Sequence, residues 1–191
     1  MDVDSDDKIR VGRRGFLRKL AVTALGLASS RAVLADAKLS RSLSFVHTHT
    51  TERLTAVYYD AGIYRQDVLQ KVNVLLRDFR NETVFQIDPL VLDRLYVLQS
   101  TIGGAEAFQV ISGYRSPDTN AVLRKMSAGV AEHSLHMDGR AIDVRLPGTA
   151  THRLAALARQ QLSGGVGFYR VSDFVHLDTG RVRNWGDSLW I

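Results

Sequence analysis

Two short runs in the C-terminal half constrain this chain more than any other feature: residues 140–144 and the segment Phe174-Val175-His176-Leu177-Asp178. Both read as β-strands, in which successive side chains point to opposite faces. In the first, Gly139, Ala141 and Asp143 share a face that is small, small and acidic, leaving room above the sheet for something bulky. In the second, Phe174, His176 and Asp178 lie on one side, with Val175 and Leu177 on the other. Set side by side, the strands bring Asp143 and His176 together as a cross-strand pair. His136 precedes the first strand by one turn, so its imidazole can fold back over the same face.

The chain contains no cysteine, which excludes a disulfide framework and a thiolate metal site. A transition-metal site must then use imidazole and carboxylate. His136, Asp143 and His176 supply two imidazoles and one carboxylate, the ligand set of catalytic zinc sites that keep a fourth position open for water. One Zn2+ held there lowers the pKa of water and polarises a carbonyl. A neighbouring carboxylate then serves as general base. Iron(II) oxygenases use the same donors, but with His and Asp next but one in sequence, whereas far more chain separates His136 from Asp143. Asp178 shares the face of His176 and can orient that imidazole from behind.

The spacing Ser-x-His-x-x-Gly-x-Ala-x-Asp, at Ser134, His136, Gly139, Ala141 and Asp143, resembles the first zinc motif of the D-alanyl-D-alanine peptidase superfamily. That superfamily also contains VanX-type dipeptidases, phage L-alanyl-D-glutamate endopeptidases and murein endopeptidases of the MepA kind, and shares its fold with Hedgehog signalling domains. Three further segments are similar to the YcbK-like exported subgroup: Gly113-Tyr114-Arg115-Ser116, Gly165-Val166-Gly167-Phe168-Tyr169, and Phe174 through Asp178 with Thr179-Gly180. The resemblance spans residues 43–185. It implies His136, Asp143 and His176 as zinc ligands, and Asp173, three positions before the last His, as general base. It also implies Arg115 as a residue that binds substrate and polarises its carbonyl, with Tyr114 and Ser134 beside it at the substrate. A guanidinium suits this role because it donates two parallel hydrogen bonds. The implied reaction is hydrolysis of an amide in peptidoglycan peptides, of D,D or L,D type. A zinc-stabilised module that grips peptidoglycan without cutting it is the competing expectation, since a fold alone does not dictate activity.

The net charge of +5 is concentrated at the N-terminus, where residues 1–35 hold seven of the 25 Lys and Arg. With that segment set aside no basic stripe remains, which argues against nucleic-acid binding. Arg13-Arg14-Gly15-Phe16-Leu17, an uncharged apolar run over 20–28 and the small-residue end Val33-Leu34-Ala35 form a secretory pattern of twin-arginine type. The run is too short for a spanning helix, so the expectation is a signal peptide over 1–35 and a periplasmic zinc peptidase-like domain over 36–191, without stable membrane insertion after cleavage.

Periodicity outlines the rest. Leu43, Phe45 and His47 alternate with polar residues, as do Leu54, Val57 and Tyr59, predicting a hairpin. Val68, Val72, Leu75 and Leu76 predict a helix over 67–79, and Asp88-Pro89 opens another that Gly103-Gly104 ends. Strands are expected over 108–111, 165–169 and 173–178, and helices over 120–126 and 152–162. Together these make an α+β domain with a small antiparallel sheet and helices packed on one side. His47 and His49 share a strand face but have no third ligand nearby in sequence, so they read as exposed or structural histidines. His133 stands one turn before His136 and can reach the site, while His152 reads as surface. Tyr58, Tyr59, Tyr64 and Trp185 could form a sugar-binding ledge, with core packing the default for most of them.

Overall fold

In the computed structural model, residues 40–127 and 130–186 are described. The expected signal segment, 1–35, lies outside them. Among the described residues, no helix is long and apolar enough to cross a membrane.

The predicted hairpin is β1 (Arg41–His47) paired antiparallel with β2 (Arg53–Asp60), and a two-residue β3 (Ile63–Tyr64) extends it. Leu43 and Phe45 alternate inward from β1 as the pattern requires. Helix α1 (Gln66–Leu75) stops short of the expected residue 79. The cause is tertiary: the Tyr114 amide takes the Leu76 carbonyl at 2.7 Å, and Asp78 turns away to accept hydrogen bonds from Ser116. Helix α2 (Pro89–Ile102) opens with Asp88 accepting from the Leu90 amide at 3.0 Å and closes on Gly103 at φ 77°, the cap pair read from sequence.

β4 (Phe108–Ser112) follows, then α3 (Pro117–Met126), which starts three residues before the expected 120 because Ser116 caps it and Pro117 fills its first turn. A 3-10 turn (Leu135–Asp138) leads into β5 (Ala141–Arg145). Then come α4 (Thr151–Gln160), β6 (Gly165–Tyr169), β7 (Phe174–Asp178) and β8 (Arg183–Gly186).

The class is α+β as expected, but the sheet is larger and more mixed than a small antiparallel one. Its order is β3-β2-β1-β4-β5-β7-β6-β8. β4 runs parallel to β1 because two helices carry the chain back to the starting end, and β8 runs parallel to β6. Side chains of the central strands divide cleanly. Val110, Ile142, Val144, Val166, Val175 and Leu177 join the apolar core with Val72 and Leu75 of α1, with Val91, Leu92, Leu95 and Leu98 of α2, and with Leu154, Ala155 and Ala158 of α4. Helix α3 contributes nothing to that core. The opposite face of β5 and β7 carries Asp143 and His176, directly paired in register.

Candidate metal centre

Each ligand candidate is delivered by local structure. Asp143 and His176 meet through the β5–β7 ladder. His136 rides on the 3-10 turn, whose first amides are capped by the Ser134 hydroxyl, which accepts from the His136 amide at 3.4 Å. The turn ends on Gly139 at φ 65°, where a Cβ would stand 2.1 Å from the Gln86 carbonyl oxygen. No L-residue with a side chain fits there, which explains the glycine three positions after His136.

The three donors are buried, with ligand atoms within 4.8 Å of one another. Their tautomers follow from their outer partners. His136 Nδ1 lies 2.7 Å from the Gly113 carbonyl, which can only accept, so Nδ1 carries the proton and Nε2 is bare. His176 Nε2 lies 3.2 Å from the Asp178 carboxylate, so it donates there and Nδ1 is bare. The bare nitrogens face each other at 3.1 Å, and Asp143 Oδ1 stands 2.8 Å from one and 3.3 Å from the other. Three lone-pair donors thus converge on one point, an arrangement that is repulsive unless a cation occupies the centre. The residues fit a zinc ion in ligand type, number and outer-partner support.

The electrostatics agree. Burial opposes the charge on Asp143, yet His136 and His176 beside it hold its carboxyl well below the usual carboxylate range. Burial alone would depress the His176 imidazolium, but the negative charges of Asp143 and Asp178 beside it reverse this and raise it. Positive charge is favoured where the lone pairs meet.

The ligands open into a pocket of about 510 Å³ lined also by Arg115, His133, Ser134, Tyr169, Phe174, Arg183 and Trp185. A larger cavity of about 690 Å³ lies by the N-terminus of α4, but it contains none of the three donors, and chemistry rather than size selects the candidate site. Arg115 is held at the pocket by its own amide, which donates to the His136 carbonyl at 3.1 Å, and by Asn120 Oδ1 at 3.4 Å from Nη1. Its Nη2 lies 4.0 Å from Asp143 Oδ2. Phe174 and Tyr169 stack at 4.5 Å, and the Tyr169 hydroxyl accepts from Trp185 Nε1 at 3.0 Å, forming an aromatic wall.

A family model, Peptidase_M15_2, described as peptidoglycan L,D-endopeptidase MepK, matches residues 35–185. The chain belongs to that family. Peptidoglycan L,D-endopeptidase MepK of Escherichia coli K12 is 42% identical over 183 residues, covering 94% of this chain and 100% of the relative. Probable peptidoglycan L,D-endopeptidase MepK of Haemophilus influenzae is 40% identical over 146 residues, covering 76% of this chain and 78% of its own. Family membership bears out the resemblance read from the motifs.

Within this MepK-family frame, His136, Asp143, His176, Arg115 and Ser134 come together in one pocket, and His133 reaches its exposed rim. Two assigned residues do not. Tyr114 belongs to the core, 6% exposed and stacked on Phe85 at 4.7 Å, because its amide is pinned to Leu76. Asp173 lines the other cavity. It occupies a turn at φ 51°, where its carboxylate accepts from the Thr151 hydroxyl and pairs with Arg145 at 3.5 Å. It precedes β7, so the strand does not carry its side chain onto the face that holds His176. Asp178 does stand behind His176 as expected. Sequence reasoning missed Asp78, which anchors Ser116 next to Arg115, and missed Arg183 and the strand that carries it. Trp185 lines the pocket, whereas Tyr58 and Tyr64 hydrogen-bond Asp93 away from it.

Proposed function

We propose that this chain is a zinc-dependent peptidase that hydrolyses an L,D amide bond of peptidoglycan peptides in the periplasm. The observation that carries the reading is the meeting of three buried lone-pair donors beside an arginine, in a pocket open to solvent. The relatives' printed names supply the substrate class and narrow the choice between D,D and L,D bonds to L,D. The twin-arginine pattern over 1–35 supports export to the compartment where that substrate lies.

His136 Nε2, Asp143 and His176 Nδ1 would hold the zinc, which would supply Lewis acidity toward the scissile carbonyl and toward water. Arg115, fixed by Asn120 and within 4.0 Å of Asp143, aims its guanidinium at the same region and can donate to the carbonyl oxygen as charge develops there. The wall of Tyr169, Phe174 and Trp185 offers apolar contact to the peptide. Among the described residues lining the pocket, His133 is the imidazole outside the ligand set, and an imidazole can serve as general base. In this reading it takes the proton-transfer role that the family pattern assigns to Asp173.

The test is digestion of purified muropeptides by the protein, with products identified by mass spectrometry, with chelator and after zinc is restored. Cleavage at an L,D bond that chelator abolishes and zinc restores is expected. One bound zinc with no turnover would instead identify a binding module. His133→Ala and Asp173→Ala separate the two bases: the larger loss of kcat is expected in His133→Ala.

A further inference from the structure

Strand β8 plays no part in ligation, yet it is built into the metal site. It pairs with β6 so that Arg183 stands opposite Gly165 and Trp185 opposite Gly167. Both glycines face the site side of the sheet, and both positions are filled from β8. A Cβ at residue 165 would lie 2.4 Å from Asp178 Oδ2 and 2.6 Å from Arg183 Nη1, and one at 167 would lie 2.6 Å from Trp185 Cε2. The bare backbone of β6 is therefore the surface across which Arg183 and Trp185 reach β7.

Both side chains end at the environment of His176. Arg183 grips the fully buried Asp178 carboxylate with two nitrogens, Nη1 to Oδ1 at 3.0 Å and Nη2 to Oδ2 at 2.7 Å. The amides of Gly165 and Gly180 add hydrogen bonds to Oδ1 at 3.0 and 2.8 Å. Oδ2, so held, is the atom that accepts from His176 Nε2. Trp185 lies against the ring itself, with centroids 5.1 Å apart, and is fixed by its bond to the Tyr169 hydroxyl. The Arg183 guanidinium in turn sits 4.8 Å from the indole centroid, tying the two together.

We propose that β8 is the positioning element of the metal centre: Arg183, through Asp178, and Trp185, through ring contact, hold His176 with Nδ1 toward the ion. Neither residue is a ligand. Without the guanidinium, Asp178 is a buried carboxylate with one fewer cation to balance it, and its hold on Nε2–H is no longer directional. Without the indole, the imidazole has space to rotate and withdraw Nδ1. Loss of such outer partners lowers metal affinity by about 10- to 100-fold in zinc sites.

The proposal rests on the zinc reading above, and the experiment separates the two. Zinc affinity of the full chain is measured by competition with a chromophoric chelator, alongside the visible spectrum of the Co(II)-loaded protein and the melting temperature of the metal-free protein. Arg183→Met is expected to weaken zinc binding about 10-fold or more and to shift the Co(II) bands, with Arg183→Lys recovering part of both. A wild-type chain that takes up no zinc overturns the zinc reading and this role with it. Zinc bound by the wild type and equally well by Arg183→Met, with unchanged Co(II) bands, overturns the role alone. So does an affinity loss that only tracks a lower metal-free melting temperature and is not recovered by Lys. Should Arg183→Met fail to fold, Trp185→Leu decides: weaker zinc binding with altered Co(II) bands upholds the role, and wild-type values refute it.

Discussion

Acid should destabilise this fold through a single histidine outside the candidate ligand set. His47 ends β1 with no exposed surface, and its Nδ1 accepts from the amides of His49 at 3.3 Å and Thr50 at 3.4 Å. The proton therefore sits on Nε2, which is buried without a partner among the described residues. Burial, then the neighbouring His49, with Arg77 and Arg80 in support and only Glu52 opposing, push the imidazole's pKa down to about 4. An unfolded histidine titrates near 6.5. Between those values the unfolded chain binds a proton that the folded chain refuses, so stability rises with pH across the window and is lost as pH falls from about 6.5 to about 4. At about 1.4 kcal/mol per pH unit for one proton, the whole window is worth about 3 kcal/mol. His47→Asn keeps an acceptor for the two amides but cannot titrate. Urea unfolding of both proteins in chelator, from pH 7 to pH 4, should show the wild type losing about 3 kcal/mol more than the variant. Parallel pH profiles would refute the assignment, since the other histidines are common to both proteins.

Other expectations follow from the same contacts. Asp78→Ala removes the acceptor for the Ser116 amide at 2.9 Å, the Ser116 hydroxyl at 2.8 Å and the Arg80 amide at 3.1 Å. It should cost about 3 kcal/mol in urea unfolding and lower kcat/KM by loosening the loop that carries Arg115. Gly167→Ala forces the Trp185 indole off the sheet and should cost about 1–3 kcal/mol, visible as a shift in tryptophan emission. Ser134→Ala removes the cap of the 3-10 turn that positions His136 and should cost about 1 kcal/mol, with weaker zinc binding read by chelator competition.

What the sequence revealed and what it hid divide along a physical line. Asp143 and His176 were legible because strand alternation is a local rule, and their register pairing is the one that alternation demands. The caps of α2 were legible for the same reason: Asp88 and Gly103 act on their own helix. The early end of α1 and the burial of Tyr114 were hidden, because both depend on the Tyr114 amide reaching the carbonyl of Leu76, far back along the chain. Asp173 is the instructive case. The family pattern places it at the site, while the turn at φ 51° ahead of β7 directs it toward Thr151 and Arg145.

The strand β8 was hidden differently, since its partners on β6 are glycines and a glycine offers no side chain to read. Its trace in the sequence is a match of spacings. Gly165-x-Gly167 leaves two openings at the strand period, and Arg183-x-Trp185 supplies two long side chains at the same period. Parallel pairing sets each opening against one side chain. A small-x-small segment beside a strand that carries candidate ligands, followed by a large-x-large segment, therefore predicts an outer strand folded over the candidate metal site. The glycines are there because the arginine and tryptophan must cross them to reach Asp178 and His176.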